Sequence, residues 1–341
     1  MYKLSSRLIF GLFVTIISNL VDHGITYAQI IPDNSLSAES SRTRPDTIKN
    51  TPSDVIEGGA TRGSNLFHSF REFNIQEGRG AYFANPEVIQ NIFSRVTGGN
   101  ISQILGTLGV LGNANLFLIN PSGIIFGPNA RLDLRGAFIG ATADSVVFDN
   151  NFEFSATNPN APPLLTVNIP IGLRFREQAG DILVQGSSLE VQPSKTLTLV
   201  GGYVAVKGAF LGGTEGRIDL GSLTGESLVQ LNLIEKGWAL GYEGLQNFGN
   251  ILLSQGSFID VSGEGGGDVQ IQAARLDVTQ GSYIFANTLG LGDGGEVLIR
   301  TTETVNLKDS SWIRADMLGS GTKTINNTGG IEIITGSLFV M

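Results

Sequence analysis

Short apolar runs alternate with turn residues along most of this chain. Between residues 115 and 145, runs of three to five residues such as Leu116–Ile119 and Ile124–Phe126 are separated by turns of two to four residues. No window of about 11 residues there carries the apolar stripe of an amphipathic helix. Pro121 and Pro128 would also interrupt a helix. The pattern therefore predicts an all-β chain of short strands.

A repeat becomes visible in the last third of the chain. Gly266–Ile271 recurs 28 residues later as Gly294–Ile299, and a third unit starts at Gly329-Gly330. The matching segments inside the unit are Leu276–Val278 with Val305–Leu307, and Ser282–Ala286 with Ser311–Ala315. One unit of three short strands cannot bury its own apolar face, but stacked units can. A propeller blade would need four strands and about 40 residues. We therefore predict a right-handed parallel β-helix with an N-terminal cap and extra-helical strands.

The N-terminus has the order of a secretory signal peptide. Lys3 and Arg7 precede the apolar run Leu8–Ile17, and Ala28 lies before a predicted cleavage site at Gln29. Ten apolar residues are too few to span a bilayer, and no later run reaches the ~18 residues of a transmembrane helix. We predict a protein that is exported and is not an integral membrane protein.

Composition excludes several kinds of chemistry. The chain has no cysteine, which rules out disulfides and thiolate nucleophiles. Its net charge of −9 disfavours nucleic acid as a partner. Of the two histidines, His23 lies in the predicted signal peptide, and His68 lies in a Phe-flanked strand where we expect a structural role. We therefore predict no catalytic triad, no metal site and no cofactor.

Two glycine-rich motifs resemble ligand-binding loops only weakly. Gly290–Gly295 fits Gly-x-Gly-x-x-Gly, but no helix is predicted after it, so nucleotide binding is not expected. Gly265–Asp268 resembles a calcium-binding nonapeptide repeat, which requires tandem copies, and only one imperfect copy is present.

Two alternatives to a non-enzymatic β-helix have weaker support in the sequence. A polysaccharide-cleaving β-helix needs carboxylates that converge on one face. The aspartates are instead expected singly beside turns, where they bond their own backbone: Asp133, Asp181, Asp219, Asp260, Asp277 and Asp309. A transmembrane β-barrel needs strands of about 9–11 residues, longer than those predicted. We predict no enzyme, and retain an extracellular polysaccharide-binding or polysaccharide-cleaving β-helix as the alternative.

The pentapeptide Asn120-Pro121-Ser122-Gly123-Ile124 is the most informative motif. Asn at the first position, Pro at the second and Gly at the fourth favour a type I turn, which we expect to be exposed. The motif resembles Asn-Pro-Asn-Gly-Ile, the signature of the N-terminal secretion domain of the filamentous haemagglutinin family, the exoproteins of two-partner secretion. It differs only at its third position.

Further segments support the resemblance over roughly residues 30–165. The matching flanks are Ser94–Gly99, Ile104–Leu108, Ala114–Ile119, Phe126-Gly127 and Ala130–Leu132. A second family motif, Asn-Pro-Asn-Leu, is half present as Asn85-Pro86-Glu87-Val88.

The resemblance implies an organisation and a function. We expect a signal peptide at 1–28, a secretion domain at 29–165, and further β-helix coils at 166–341 with repeats from about 266. The protein would be a secreted, adhesin-like or haemagglutinin-like exoprotein. An outer-membrane barrel transporter with periplasmic recognition domains would recognise its N-terminal domain, and a cell-surface or polysaccharide ligand is a further candidate partner.

The resemblance also assigns a role to the Asn-Pro motifs. Asn120 to Ile124, and to a lesser extent Asn85 and Pro86, would be recognised by the transporter, or would only make tight turns that the fold needs. Because the third repeat stops at Met341, we also expect this chain to be the front part of a longer exoprotein.

Overall fold

The structure is a computed structural model that describes residues 30–160, 169–319 and 329–341. The predicted signal peptide and its cleavage site, Ala28-Gln29, lie outside the described residues. Within those ranges the only helical element is the 3-10 turn Ser37–Glu39. None of the described residues forms a helix that is long and apolar enough to cross a membrane.

The first half of the chain contains the N-terminal strands and the first coils. In chain order the strands are β1 (Ile31–Pro32), β2 (Ser41–Ile48), β3 (Thr51–Gly58), β4 (Ala60–Arg62), β5 (Asn65–Glu72), β6 (Gly80–Phe83), β7 (Asn91–Val96), β8 (Ser102–Ile104), β9 (Thr107–Val110), β10 (Asn115–Ile119), β11 (Ile124–Phe126), β12 (Arg131–Asp133), β13 (Phe138–Ala141), β14 (Ser145–Phe148), β15 (Glu153–Ser155) and β16 (Pro170–Phe175).

The second half continues the same winding. Its strands are β17 (Ile182–Gln185), β18 (Ser188–Glu190), β19 (Thr196–Gly201), β20 (Val204–Lys207), β21 (Phe210–Gly212), β22 (Arg217–Ser222), β23 (Ser227–Ile234), β24 (Gly237–Gly241), β25 (Asn250–Ser254), β26 (Phe258–Asp260), β27 (Asp268–Val278), β28 (Tyr283–Phe285), β29 (Glu296–Leu307), β30 (Trp312–Arg314), β31 (Gly330–Ile334) and β32 (Ser337–Val340).

From β5 onward, the strands outside the antiparallel set β14, β15, β16, β23 and β24 wind around three faces. Each pairs in parallel with the next one on its face, except that β12 and β18 on face 3 belong to separate sheets. Face 1 holds β5, β7, β10, β13, β19, β22, the first halves of β27 and β29, and β31. Face 2 holds β8, β11, β17, β20, β25, the second halves of β27 and β29, and β32. Face 3 holds β6, β9 and β12, then β18, β21, β26, β28 and β30. The predicted parallel β-helix is confirmed.

The register explains why the apolar pattern gives a solenoid. The inward-facing positions of face 1 form one ladder that runs through Leu66, Ile92, Leu116, Phe138, Leu197, Ile218, Val269, Val297 and Ile331. Each coil thus buries its apolar residues against those of the coils above and below. The predicted repeats are neighbouring coils, because Val269 pairs with Val297 and Ile271 pairs with Ile299.

An antiparallel sheet outside the coils covers face 1. It is made of β15, β14, β16, β23 and β24. The outward-facing residues of face 1 beneath it are therefore aromatic as well: Phe93 lies 5.3 Å from Phe67 and 4.7 Å from Phe117, measured between ring centroids. This second core accounts for the predicted extra-helical strands. In this sheet β14 pairs with β16, and the two strands lie on either side of residue 165. The boundary at residue 165 between the secretion domain and the further coils stays a prediction.

The N-terminal cap closes the first coil and buries His68. The β2–β3 hairpin extends face 3 through β6, while β1 and β4 flank β5. His68 Nδ1 lies 2.9 Å from Ser41 Oγ, its Nε2 has no partner, and its ring packs edge-on against Phe83. Burial penalises the charged imidazolium and lowers the pKa of His68 from 6.5 to about 3. This environment agrees with the structural role predicted for His68.

We expect this buried imidazole to make the fold sensitive to acid. Its pKa is lowered in the folded state, so protons bind preferentially to the unfolded chain as the pH falls below about 6.5, and stability decreases by up to ~1.4 kcal/mol per pH unit. Urea unfolding at pH 7 and pH 5 should therefore show an acid loss of about 2 kcal/mol that is absent in His68→Leu. His68 is the single histidine after residue 29. Equal acid losses in the parent and the variant would contradict the assignment.

Candidate functional site

The corner made by residues 120–123 connects β10 on face 1 to β11 on face 2. The backbone carbonyl of Asn120 accepts a hydrogen bond from the Gly123 N–H at 3.0 Å, which closes the predicted turn. The side-chain Oδ1 of Asn120 also accepts from the Ser122 N–H at 3.0 Å. The local chemistry that predicts a turn is therefore sufficient to explain the shape of this corner.

Asn120 also joins two coils. Its Nδ2 donates to the Asn100 carbonyl and to Ser102 Oγ, both at 2.9 Å, on the preceding coil. On the other side, the carbonyl of Pro121 accepts from the Gly180 N–H at 3.0 Å. The side chain of Asn120 is consequently fully buried.

The prediction that residues 120–123 form an exposed turn is wrong for two of the four residues. Asn120 and Gly123 are buried, while Pro121 and Ser122 are half-buried. The physical reason is that a corner of a solenoid is covered by the corners of the adjacent coils. Ile124, the last residue of the motif, lies in the interior core.

Gly123 is required by its backbone and by its neighbours. Its φ is +124°, a region that side chains with a Cβ rarely adopt. An ideal Cβ built at this position would lie 3.0 Å from the Asp181 carbonyl oxygen on the next coil. A β-branched residue here would therefore push two coils apart.

The second motif lies at a different corner. Asn85 and Pro86 follow β6 on face 3 and lead into face 1, where Asn85 Nδ2 donates to the Pro86 carbonyl at 3.0 Å. Pro86 and Val88 are exposed, Val88 to 69%. The structure does not bring the two motifs together, because a face-1 strand of five residues, about 17 Å long, separates the two corners.

Sequence reasoning missed an apolar groove beside the corner at residues 120–123. The groove has a volume of about 290 Å³ and is lined by Ile101, Ser122, Ile125, Gly180, Asp181 and Leu183. Ile101 is 45% exposed, and Ile125 pairs with Leu183 on the outer side of face 2. Since Ile124 and Phe126 point inward, the alternation of a strand requires Ile125 to point outward. The apolar residue Ile125 at an outward-facing position was the signal in the sequence that could have revealed the groove.

A buried arginine connects the cap, face 1 and the extra-helical sheet. Arg95 donates from Nε to Ser69 Oγ at 2.9 Å, from Nη1 to the Ser155 carbonyl at 2.5 Å, and from Nη2 to Ser35 Oγ at 2.8 Å. Its guanidinium also lies 4.3 Å from the centre of the Phe154 ring. Burial lowers the pKa of Arg95 to about 10, against the opposing effect of Asp33. The group is therefore still charged at neutral pH.

Asp33 organises the cap side of this junction. Its two carboxylate oxygens accept from the Ser35 N–H at 2.9 Å, from Ser35 Oγ, from Ser69 Oγ at 2.8 Å and from Thr97 Oγ1 at 2.7 Å. Burial by itself would raise the pKa of Asp33, but these hydrogen bonds lower it below 3.8 on balance. Asp33 and Arg95 thus form a charged, hydrogen-bonded junction that lies outside the Asn-Pro motifs.

Four of the six aspartates do not have the role expected from the sequence: Asp133, Asp181 and Asp277 accept hydrogen bonds from Tyr82, Tyr203 and Asn306 on other coils, and Asp219 departs furthest. Asp219 lies within β22 and is buried, not beside a turn. Its carboxylate pairs with the Arg217 guanidinium at 2.8 Å and accepts from the Leu240 N–H at 3.0 Å, which holds β24 against face 1. Burial raises the pKa of Asp219, against the opposing charge of Arg217. In the described ranges, no three His, Cys, Asp or Glu side chains are grouped so that they could hold a metal ion.

The three-faced solenoid, its cap and the corner at residues 120–123 define a capped β-helical protein. The family model of the TPS secretion domain matches residues 28–271, and the chain belongs to this family. TPS denotes two-partner secretion, so the protein is an exported, secreted exoprotein, as the motif resemblance implied.

Several known proteins are similar to part or most of the chain. A heme/hemopexin-binding protein of Haemophilus influenzae strain Rd is 35% identical over 69 residues, which cover 20% of this chain and only 7% of that relative's length. Two solved structures are also similar. The HMW1 secretion domain from Haemophilus influenzae has 18% identity, a TM-score of 0.45, and coverage of 89% of this chain and 98% of that one. A filamentous hemagglutinin secretion domain has 14% identity, a TM-score of 0.43, and coverage of 92% and 99%.

Proposed function

We propose that an outer-membrane barrel transporter recognises this domain through its periplasmic domains and exports the chain, and that the corner at residues 120–123 takes part in this recognition. The observation that carries the proposal is the accessible surface at that corner. Ser122 borders the apolar groove formed with Ile101, Ile125 and Leu183. Half-exposed apolar side chains beside a polar turn are a suitable contact for a protein partner.

The burial of Asn120 restricts how the motif acts. In the folded domain its amide is used by Asn100 and Ser102, so a partner cannot reach it. Asn120 therefore supports recognition by shaping the corner, or it is contacted before coil stacking covers it. Ser122 and the groove are the parts that remain available after folding.

Export is expected to depend on a dedicated transporter. The full chain should reach the medium when it is expressed with a two-partner transporter from its own genome, and should accumulate in the periplasm without it. Pulse-labelling followed by fractionation measures this distribution. Ser122→Arg together with Ile125→Glu should reduce export with the domain still folded, whereas the control Leu233→Glu, at a 65% exposed residue of β23 outside both Asn-Pro motifs, should leave export unchanged. Equal export with and without the transporter would contradict the proposal.

The alternative of a polysaccharide-cleaving protein receives no support from a carboxylate site. Asp219, the most buried of the six aspartates, is already paired with Arg217 and hydrogen-bonded to the Leu240 N–H. Asp260 accepts a hydrogen bond from the Ser262 N–H at 2.9 Å, the turn role expected for it.

A further inference from the structure

The outer side of face 3 carries a column of aromatic rings. Phe210, Phe258, Tyr283 and Trp312 occupy the same register position on four successive coils. The ring centroids of Phe210 and Phe258 are 5.6 Å apart, and those of Phe258 and Tyr283 are 6.2 Å apart. We call these four residues the aromatic column.

The column points away from the core. The residues that follow its members in the sequence, Leu211, Ile259 and Ile284, are fully buried in the interior. Strand alternation therefore directs the aromatic rings outward. The extra-helical sheet covers face 1, and the column remains partly in water, with Trp312 49% exposed.

Polar side chains border the column on both sides except at Phe285, whose ring centroid lies 5.2 Å from that of Phe258 and 5.8 Å from that of Tyr283. One residue past the inward-facing ladder, Glu190 and Asp260 stand on the outer side of the same face. Arg314 lies 4.8 Å from the Trp312 ring centre. On the opposite side, Gln255 and Gln280 are exposed at the corners that precede the strands. The surface is therefore an aromatic strip, widened at Phe285, between hydrogen-bonding groups.

We propose that the aromatic column binds a neutral polysaccharide chain that runs along the solenoid axis, with one sugar ring over each coil. The C–H faces of a pyranose pack against aromatic rings, and carboxylates and amides accept hydrogen bonds from its hydroxyl groups. Neighbouring strands of a sheet are about 4.8 Å apart, which is close to the length of one hexose in an extended glycan. The proposal goes beyond secretion and concerns what the exported protein touches.

Charge and shape decide between this ligand and others. The chain carries a net charge of −9, and Glu190 and Asp260 border the column, so an anionic polymer would be repelled. A stable protein partner would need roughly 800 Å² on each side with an apolar centre. A column of rings that is widened at Phe285 and otherwise bordered by polar side chains offers an extended contact instead.

The two tryptophans allow a direct test. Trp238 is buried and Trp312 is half-exposed, so a shift in emission to shorter wavelength on adding a ligand reports on Trp312. The folded chain, without its signal peptide, is titrated with neutral glucose and mannose oligosaccharides of six units. We expect a saturable blue shift with at least one of these series, and no shift in Trp312→Phe.

Affinity measured by calorimetry separates binding from the optical signal. Trp312→Ala should weaken binding roughly tenfold, equivalent to ~1.4 kcal/mol, and Trp312→Phe should retain most of the affinity. Phe339→Ala is the matched control, since Phe339 is equally exposed, at 49%, but lies on face 2. Thermal unfolding confirms that the variants are folded.

Three outcomes of the binding experiments would overturn the proposal. They are the absence of binding to both oligosaccharide series, an affinity that Trp312→Ala leaves unchanged, and an equal loss in Phe339→Ala. Concentration-dependent self-association that Trp312→Ala abolishes would also overturn it, because the column would then bind a second copy of the chain.

Discussion

Arg95→Ala is expected to destabilise the domain by about 3–5 kcal/mol, the usual cost of removing one partner from a buried charged network. The substitution leaves Asp33 without its neighbouring cation and leaves the buried Ser155 carbonyl without its donor. It also removes the packing of the guanidinium on Phe154. Urea unfolding followed by circular dichroism measures the loss.

Arg95→Ala should loosen the strands next to Arg95 more than the strands of distant coils. Because Arg95 holds Ser155 at the end of β15, hydrogen exchange in β14 and β15 should rise more than in β25 and β26, which lie coils away. Arg135→Ala is the control: this exposed arginine makes one long hydrogen bond to Asn113, at 3.4 Å, and should change stability by less than about 0.5 kcal/mol. A loss below about 1 kcal/mol in Arg95→Ala would show that the junction is not a major source of stability.

The architecture was predictable because it repeats. Apolar residues stand at alternate positions and recur after 28 residues, so the fold requires only that each coil pair with the next one. The pairing of Val269 with Val297 follows directly from this repeat. The extra-helical strands could be anticipated, but not the fact that they cover face 1. That placement depends on outward-facing rings such as Phe67 and Phe93. The alternation of strand residues alone would predict that these rings are exposed to water.

The candidate site was predictable only in those features that neighbouring residues in the sequence determine. The turn at Asn120 follows from Asn, Pro and Gly at fixed offsets. The burial of Asn120 depends on Asn100 and Ser102 of the preceding coil, which lie 20 and 18 residues before it in the sequence. Arg95 was missed for the same reason, since a lone charge within a strand does not reveal a partner 60 residues away, as Ser155 is from Arg95. Asp219 was assigned to a turn because the sequence does not show that β24 covers it, although Arg217 is only two residues away.

Asn120→Ala and Gly123→Val are expected to reduce export severalfold. The first removes the donors to the buried Ser102 hydroxyl and to the Asn100 carbonyl, and it removes the side-chain acceptor of the Ser122 N–H, a loss of about 2–3 kcal/mol at this corner. The second places a branched side chain where even a Cβ would lie 3.0 Å from the Asp181 carbonyl. Both changes should open the corner between β10 and β11 that the proposed recognition requires. Secretion is measured by pulse-labelling in cells that carry the transporter.

Matched controls separate recognition from general damage to a turn. Asp260→Ala removes the same type of side-chain-to-backbone turn bond on face 3, and Gly244→Val introduces the same positive-φ conflict, at +77°, with no atom within 4 Å. Both should be exported nearly as well as the parent, and Asn85→Ala should fall between the two groups. Chemical unfolding of each purified variant gives its stability, so that export is compared at equal stability. If Asn120→Ala is exported as well as Asp260→Ala, the corner serves the fold alone and the transporter reads another surface.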